Sequence, residues 1–269
     1  MHTKDKRPRI SVVQNFICDL PERLKVIEKN TPKISEVWKD YEFFVNFNAV
    51  KNNKEVHEIY KKNIPKLNYY NNLEKDWAGI VLAMVNEVKT PYVIFINEDQ
   101  QFNMSYDDWD NIINECFIEN DVDYILLNKI EKYNNGAFID GYFPDHIPNH
   151  AQQFWGQYPA PKYGEGNHVW FYDGKFARHK RVSVEAVYKT EWLKDRLEEF
   201  LIKGDSCTHD IPFRKKHICH FYEGYYDFWN GMVRFADMKC AIPKNNIIIH
   251  FEDVKQNEYH PLHPNNKKI

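Results

Sequence analysis

The sequence predicts an α/β fold, a mostly parallel central sheet flanked by helices in a single domain with an aromatic-rich second half. Three observations carry this. The first half alternates strand-like and helix-like segments, the order that builds parallel sheets through right-handed crossovers. Its strand segments are short apolar runs such as Tyr92-Val-Ile-Phe-Ile96, the pattern of strands buried on both faces. That run ends in Asn97-Glu98-Asp99, and ligands of open α/β sheets sit beyond such strand ends.

Taken in order, Arg9-Ile-Ser-Val-Val-Gln-Asn15 reads as the first strand. Asp19 and Leu20-Pro21-Glu22 open a helix, since proline is tolerated and acids are favoured in a first turn. Leu20, Leu24 and Ile27 give it one apolar face. Tyr41 to Asn48 is a second strand, Val56, Ile59 and Tyr60 mark a short helix, and Leu67-Asn-Tyr-Tyr70 is a third strand. Asp76 is placed to cap a helix from Trp77 to Val88, ended by Thr90-Pro91 before the strand at Tyr92. Ser105 caps the next helix, whose Trp109, Ile112, Ile113, Cys116 and Phe117 follow the spacing of an amphipathic helix. Val122 to Leu127 is another strand.

The second half is less regular. From Tyr133 to Lys175 glycine, proline, asparagine and aromatic residues occur without a sustained period, as in a long functional loop. Val182 to Tyr188 reads as a strand, and Thr190 as the cap of a helix from Glu191 to Lys203 stopped by Gly204. An aromatic helix over Tyr225 to Ala236 and a late strand Asn246 to Phe251 complete the pattern. One domain over residues 1–254 is expected, divided into 9–128 and 129–254, with 255–269 as an extension.

Composition excludes several classes. A formal net charge of −3 over 269 residues argues against a nucleic-acid binder. No stretch approaches the roughly 18 apolar residues of a membrane span, which leaves only peripheral membrane contact open. The polar N-terminus carries no signal-peptide pattern. Five scattered cysteines suit reduced thiols and a cytoplasmic setting.

Glu98 and Asp99, flanked by amide side chains, form an oxygen-rich site suited to Mg²⁺ or Mn²⁺ and a phosphate, or else cap the turn before Ser105. Cys207, His209 and Asp210 followed by His217, Cys219 and His220 are metal-rich, but their spacing matches no zinc-finger pattern. The aromatic block of Phe143, His146, His150, Phe154, Trp155, Tyr158, Tyr163, His168, Trp170, Phe171 and Tyr172 suits either sugar-ring packing or a lid on the sheet.

Four segments in order resemble the GT-A fold (Rossmann-like) glycosyltransferases of the family 2 type. They are the strand Ile10 to Asn15, the helix Trp77 to Val88 with Thr90 to Asp99, Val182 to Leu193, and Ala241-Ile-Pro-Lys-Asn-Asn-Ile-Ile-Ile-His250. The resemblance implies transfer of a sugar from a nucleoside-diphosphate sugar to an acceptor hydroxyl of a glycan or glycoconjugate, with inversion and metal assistance. Asn97-Glu98-Asp99 stands where the family carries its D-x-D motif, so the resemblance makes Asp99 the Mn²⁺ or Mg²⁺ ligand, helped by Glu98 or Asn97 and by His250 from the late strand. Asn97 replaces the first aspartate, which weakens metal binding or removes it, because an amide oxygen ligates without adding charge. Gln14, Asn15, Asn46 and Asn48 would line the nucleotide pocket, although such residues are also ordinary turn formers. Asp76 points its helix at the same crevice and reads first as a cap.

An inverting reaction needs a carboxylate to take the acceptor hydroxyl's proton. The resemblance places it between the acceptor strand and the late histidine, with Glu223 first, then Asp227 and Asp210, and Asp205 also available. Arg234 is a candidate phosphate ligand. Two rivals remain: a catalytically degenerate GT-A domain that binds glycan or protein, and a sugar-phosphate nucleotidyltransferase, which normally has a Gly-rich basic loop after its first strand. Gln14 to Asp19 has neither feature.

Overall fold

The computed structural model describes residues 9–16, 21–38, 40–47, 52–70, 77–127, 130–132, 138–140, 162–173, 186–203 and 239–250. Strand β1 (Ile10–Phe16) leads to helix α1 (Pro21–Trp38), which begins on the proline, where a missing N–H costs nothing. The helix runs on through Pro32 because Ile27, Ile34 and Trp38 are buried against the sheet, and that packing outweighs the lost hydrogen bond. Strand β2 (Glu42–Phe47), helix α2 (Asn53–Asn63), strand β3 (Leu67–Tyr70), helix α3 (Trp77–Glu87) and strand β4 (Tyr92–Phe95) follow. Asp19, Leu20, Asn48 and Asp76 lie outside the described residues.

A short strand β5 (Gln100–Phe102) separates β4 from helix α4 (Tyr106–Ile113), a break that the continuous polar sequence gave no sign of. Ser105 caps α4 as expected: Asp108 N donates to its Oγ at 3.1 Å, and the hydroxyl donates to Asp108 Oδ2 at 2.7 Å. The helix widens into a π segment over Asn114–Glu119, and its stripe from Trp109 to Phe117 is buried. Strands β6 (Tyr124–Leu126), β7 (Ile130–Lys132), β8 (Phe138–Asp140), β9 (Lys162–Glu165), β10 (Val169–Asp173) and β11 (Ala186–Lys189) come next, then helix α5 (Thr190–Lys203), β12 (Lys239–Pro243) and β13 (Ile248–His250).

The main sheet has nine strands in the order β3-β2-β1-β4-β11-β6-β12-β10-β9. Parallel pairing joins β1 to β2 and β4, β2 to β3, and β6 to β12, while β11 and β10 run against their neighbours. Strand alternation sends Val12, Phe43 and Ile94 to one face and Val13, Phe44 and Phe95 to the other. The first face packs α1, α2 and α4; the second packs α3 and α5. Burial on both faces explains why these strands read as unbroken apolar runs.

Three expectations change. The stretch read as one long loop contains β8, β9 and β10, and buried Phe171 and half-buried Trp170 are strand residues rather than parts of an acceptor loop or of a lid on the sheet. The late segment holds two strands, β12 in the main sheet and β13 paired with β5. Thr190 is the first residue of its helix, and its Oγ1 donates to Thr90 O at 2.8 Å, so it ties α5 to the turn before β4. The helix expected over Tyr225 to Ala236 and most of the aromatic block lie outside the described residues.

Candidate functional site

From β1 the chain moves outward to β2 and β3, then α3 carries it back to β4 on the other side of β1. The carboxyl ends of β1 and β4 therefore flank a topological switch point, where the connections diverge and where ligands of open α/β sheets bind. Gln14 and Asn15 stand just before the last residue of β1, Phe16, Asn46 just before the last residue of β2, Phe47, and Asn97 to Asp99 follow β4.

Asn46 is the register partner of Asn15, and its Nδ2 donates to Asn15 Oδ1 at 3.0 Å. Following Val13 and Phe44 by two residues, the pair lies on the α3 face. Gln14 lies on the opposite face, fully buried, with Oε1 accepting from Tyr60 of α2 at 2.8 Å. Buried Gln14 Nε2 and Asn15 Nδ2 find no hydrogen-bond partner among the described residues.

Glu98 and Asp99 are 1% and 2% exposed. Arg23, in the first turn of α1, pairs with Glu98 and lies 3.5 Å from Asp99 Oδ2 through Nη1. Asn30, seven residues further along the same helix face, donates Nδ2 to Glu98 O at 2.6 Å and to Gln100 O at 3.2 Å. The turn closes on itself as Asn97 N donates to Gln100 Oε1 at 2.7 Å. Burial pushes the Glu98 carboxyl above the usual carboxylate range; Arg23 opposes that rise and Asp99 adds to it.

Sequence reasoning missed Arg23 and Asn30. The one local signal was a cation in a helix's first turn, where the macrodipole disfavours it unless an anion compensates.

The small sheet of β5 and β13 sets Ile248 opposite Phe102, Ile249 opposite Gln101 and His250 opposite Gln100. Asn103 N donates to Ile247 O at 2.7 Å and extends the junction. The backbone of His250 is thereby delivered beside the residue that follows Asp99. Asp205, Asp210, Glu223, Asp227, Arg234 and the Cys207 to His220 cluster lie outside the described residues.

The oxygen donors of Glu98 and Asp99 are of the hard type that Mg²⁺ or Mn²⁺ prefers. Both carboxylates, however, already face one guanidinium, and the described residues contain no group of three His, Cys, Asp or Glu placed to hold a metal. As arranged, these residues do not fit a divalent cation, which would have to displace Arg23.

Among the described residues no helix is long and apolar enough to cross a membrane. No protein-family model matches the chain, and no curated protein sequence matches it. Solved structures similar to it include S. aureus TarS 1–349 in complex with UDP-GlcNAc, at 14% identity over 90% of this chain and 58% of that one, with a TM-score of 0.46. The 4-diphosphocytidyl-2C-methyl-D-erythritol synthase of Anaerococcus prevotii matches at 11% identity over 92% of both chains, with a TM-score of 0.45. The mannosyltransferase PcManGT of Pyrobaculum calidifontis, in complex with GDP-Man and Mn²⁺, matches at 15% identity over 46% of this chain and 36% of that one, with a TM-score of 0.38. The chain spans about three fifths of the TarS 1–349 structures it matches.

Proposed function

We propose that the chain is a glycosyltransferase acting on a nucleoside-diphosphate sugar. The observation that carries this reading is the set of polar residues at the carboxyl ends of neighbouring strands, Asn15 of β1, Asn46 of β2 and the acidic turn after β4, with the backbone of His250 paired opposite Gln100 by β13. An apolar sheet has no packing reason to end in this set, whereas a phosphorylated nucleotide needs donors, a charge partner and open space at such a switch point.

In this reading Gln14, Asn15, Asn46 and Asn48 hold the nucleoside, using amide donors and acceptors that match base edges and ribose hydroxyls. The turn Asn97 to Asp99 organises the charge around the diphosphate. A carboxylate among Glu223, Asp227 and Asp210 takes the acceptor hydroxyl's proton as its oxygen attacks the anomeric carbon. The bond from that carbon to the phosphate oxygen breaks, and the nucleoside diphosphate leaves with the electron pair, inverting the centre. The setting proposed is cytoplasmic, and the acceptor is a glycan or glycoconjugate.

A thermal-shift panel of UDP-, GDP- and CMP-sugars tests the reading, because a ligand that binds the native state raises its apparent stability. One nucleotide sugar should raise the melting temperature and be hydrolysed or transferred. A flat response across the panel would overturn the proposal. The pairing of both acids with Arg23 favours one alternative, a degenerate domain that binds glycan; such a domain would respond to oligosaccharides and not to nucleotides.

A further inference from the structure

The acidic turn has the residues of a cation site but already contains a cation. Glu98 and Asp99 are buried, and a buried carboxylate pair without a counter-charge would be strongly disfavoured. Arg23 is that counter-charge, set in the first turn of α1 with 18% of its side chain exposed, whereas its two partners are almost wholly enclosed. The helix pins the arrangement from below, since Asn30 holds the turn's carbonyls and Ile27 between them is in the core. A dication entering here would meet the field of a fixed guanidinium and would have to compete for oxygens already engaged.

A separate observation points to an acceptor-rich ligand at the same strand ends. Asn15 Nδ2 is a buried donor without a partner among the described residues, and Val13, two residues before it on the same face, is in register with Phe95 of β4. Orphaned buried donors are rare in native folds and are costly unless something accepts from them. Phosphate and ribose oxygens are such acceptors. The guanidinium adds a planar array of donors that suits phosphate as well as carboxylate.

We propose that this chain binds its nucleoside diphosphate without a divalent metal, the Arg23 guanidinium standing at the strand end where a dication would otherwise sit. The inference rests on the transferase reading. Glu98 and Asp99 are then positioning residues: they hold the guanidinium in place and do not ligate a metal.

Calorimetric titration of the full chain with UDP and with GDP, in EDTA and in excess Mn²⁺, tests it. The nucleotide that binds should do so with affinities agreeing within about twofold in the two buffers. The electron spin resonance signal of free Mn²⁺ should not be depleted by protein, with or without nucleotide. Arg23→Lys keeps the charge but loses the planar donor fork, and should weaken binding about tenfold in both buffers. The double variant Arg23→Gln with Glu98→Gln avoids stranding a second buried charge, and should lose more than about tenfold in EDTA. Binding that appears only with Mn²⁺ would overturn the inference and leave the transferase reading standing. Wild-type affinity of the double variant in EDTA would overturn it too. If neither nucleotide binds in either buffer, the transferase reading itself falls.

Discussion

The side chain of Asn30 on α1 donates to the main-chain oxygen of Glu98 at 2.6 Å and reaches Gln100 O at 3.2 Å. One helical amide thus fixes the backbone of the acidic turn from beneath. Asn30→Leu keeps a similar volume but removes this donor from the buried turn, which costs about 1–3 kcal/mol. Urea unfolding should show that loss. A variant as stable as wild type would mean that the bond does not shape the turn.

Arg23→Met removes the counter-charge of two buried carboxylates. Breaking one side of a buried ion pair costs about 3–5 kcal/mol, and the melting temperature should fall accordingly. Adding Glu98→Gln to Arg23→Met should recover a substantial part of it, because one of the stranded charges disappears. No recovery would show that the loss comes from packing of the arginine stem.

Asp99→Ala should lower sugar transfer by at least about tenfold, the scale on which removal of a group that organises charge at a reacting centre is felt. Steady-state rates with the nucleotide sugar found by thermal shift provide the measurement. Unchanged turnover would remove Asp99 from the site.

Tyr124 and Tyr188 are fully buried on the α3 face, and burial raises both phenol pKa values well above the ordinary value. A folded-state pKa above the unfolded one means full stability below the unfolded value of about 10, lost as pH climbs past it. Circular dichroism should therefore show unfolding in strong alkali, and Tyr188→Phe should move its midpoint upward. An unmoved midpoint would assign the alkaline transition to other groups.

Gly166 turns the chain from β9 to β10, its N–H donating to Val169 O at 2.9 Å. A Cβ there would run into Glu115 Oε1, the same oxygen that accepts from Asn167 N at 2.8 Å. Gly166→Ala must move that carboxylate and break its bond from Asn167 N, which should cost about 1 kcal/mol, the worth of one hydrogen bond. Equal stability of the variant in urea would show that Glu115 swings away freely.

Legibility followed the range of the forces involved. The strands β1 to β4 and the helices between them were readable because each announces itself within a few residues, by apolar runs, a proline at a helix start or a serine cap. Strand β3 was bounded correctly from Leu67 to Tyr70, and Ser105 was placed as a cap for the right reason. Strand β9 at the sheet edge, and β10 and β12 inside it, were missed because their short mixed or aromatic sequences give no clean period of two. Phe171 was grouped with an aromatic block left open between sugar packing and a lid on the sheet, and its neighbours across β12 and β9 make it core.

By itself the sequence determined a doubly covered α/β sheet and a polar, acidic turn at the end of its fourth strand. Hydrophobic periodicity and turn chemistry are local properties, and local properties survive in a string of letters. Only the tertiary structure decided what surrounds Glu98 and Asp99. Arg23 and Asn30 reach them from the first helix, and His250 comes alongside through a strand near the far end of the described chain. A carboxylate's charge and role depend on the groups within a few ångströms of it. Here those groups are distant in sequence, so the same two acids that read as a metal site are, once folded, the seat of an arginine.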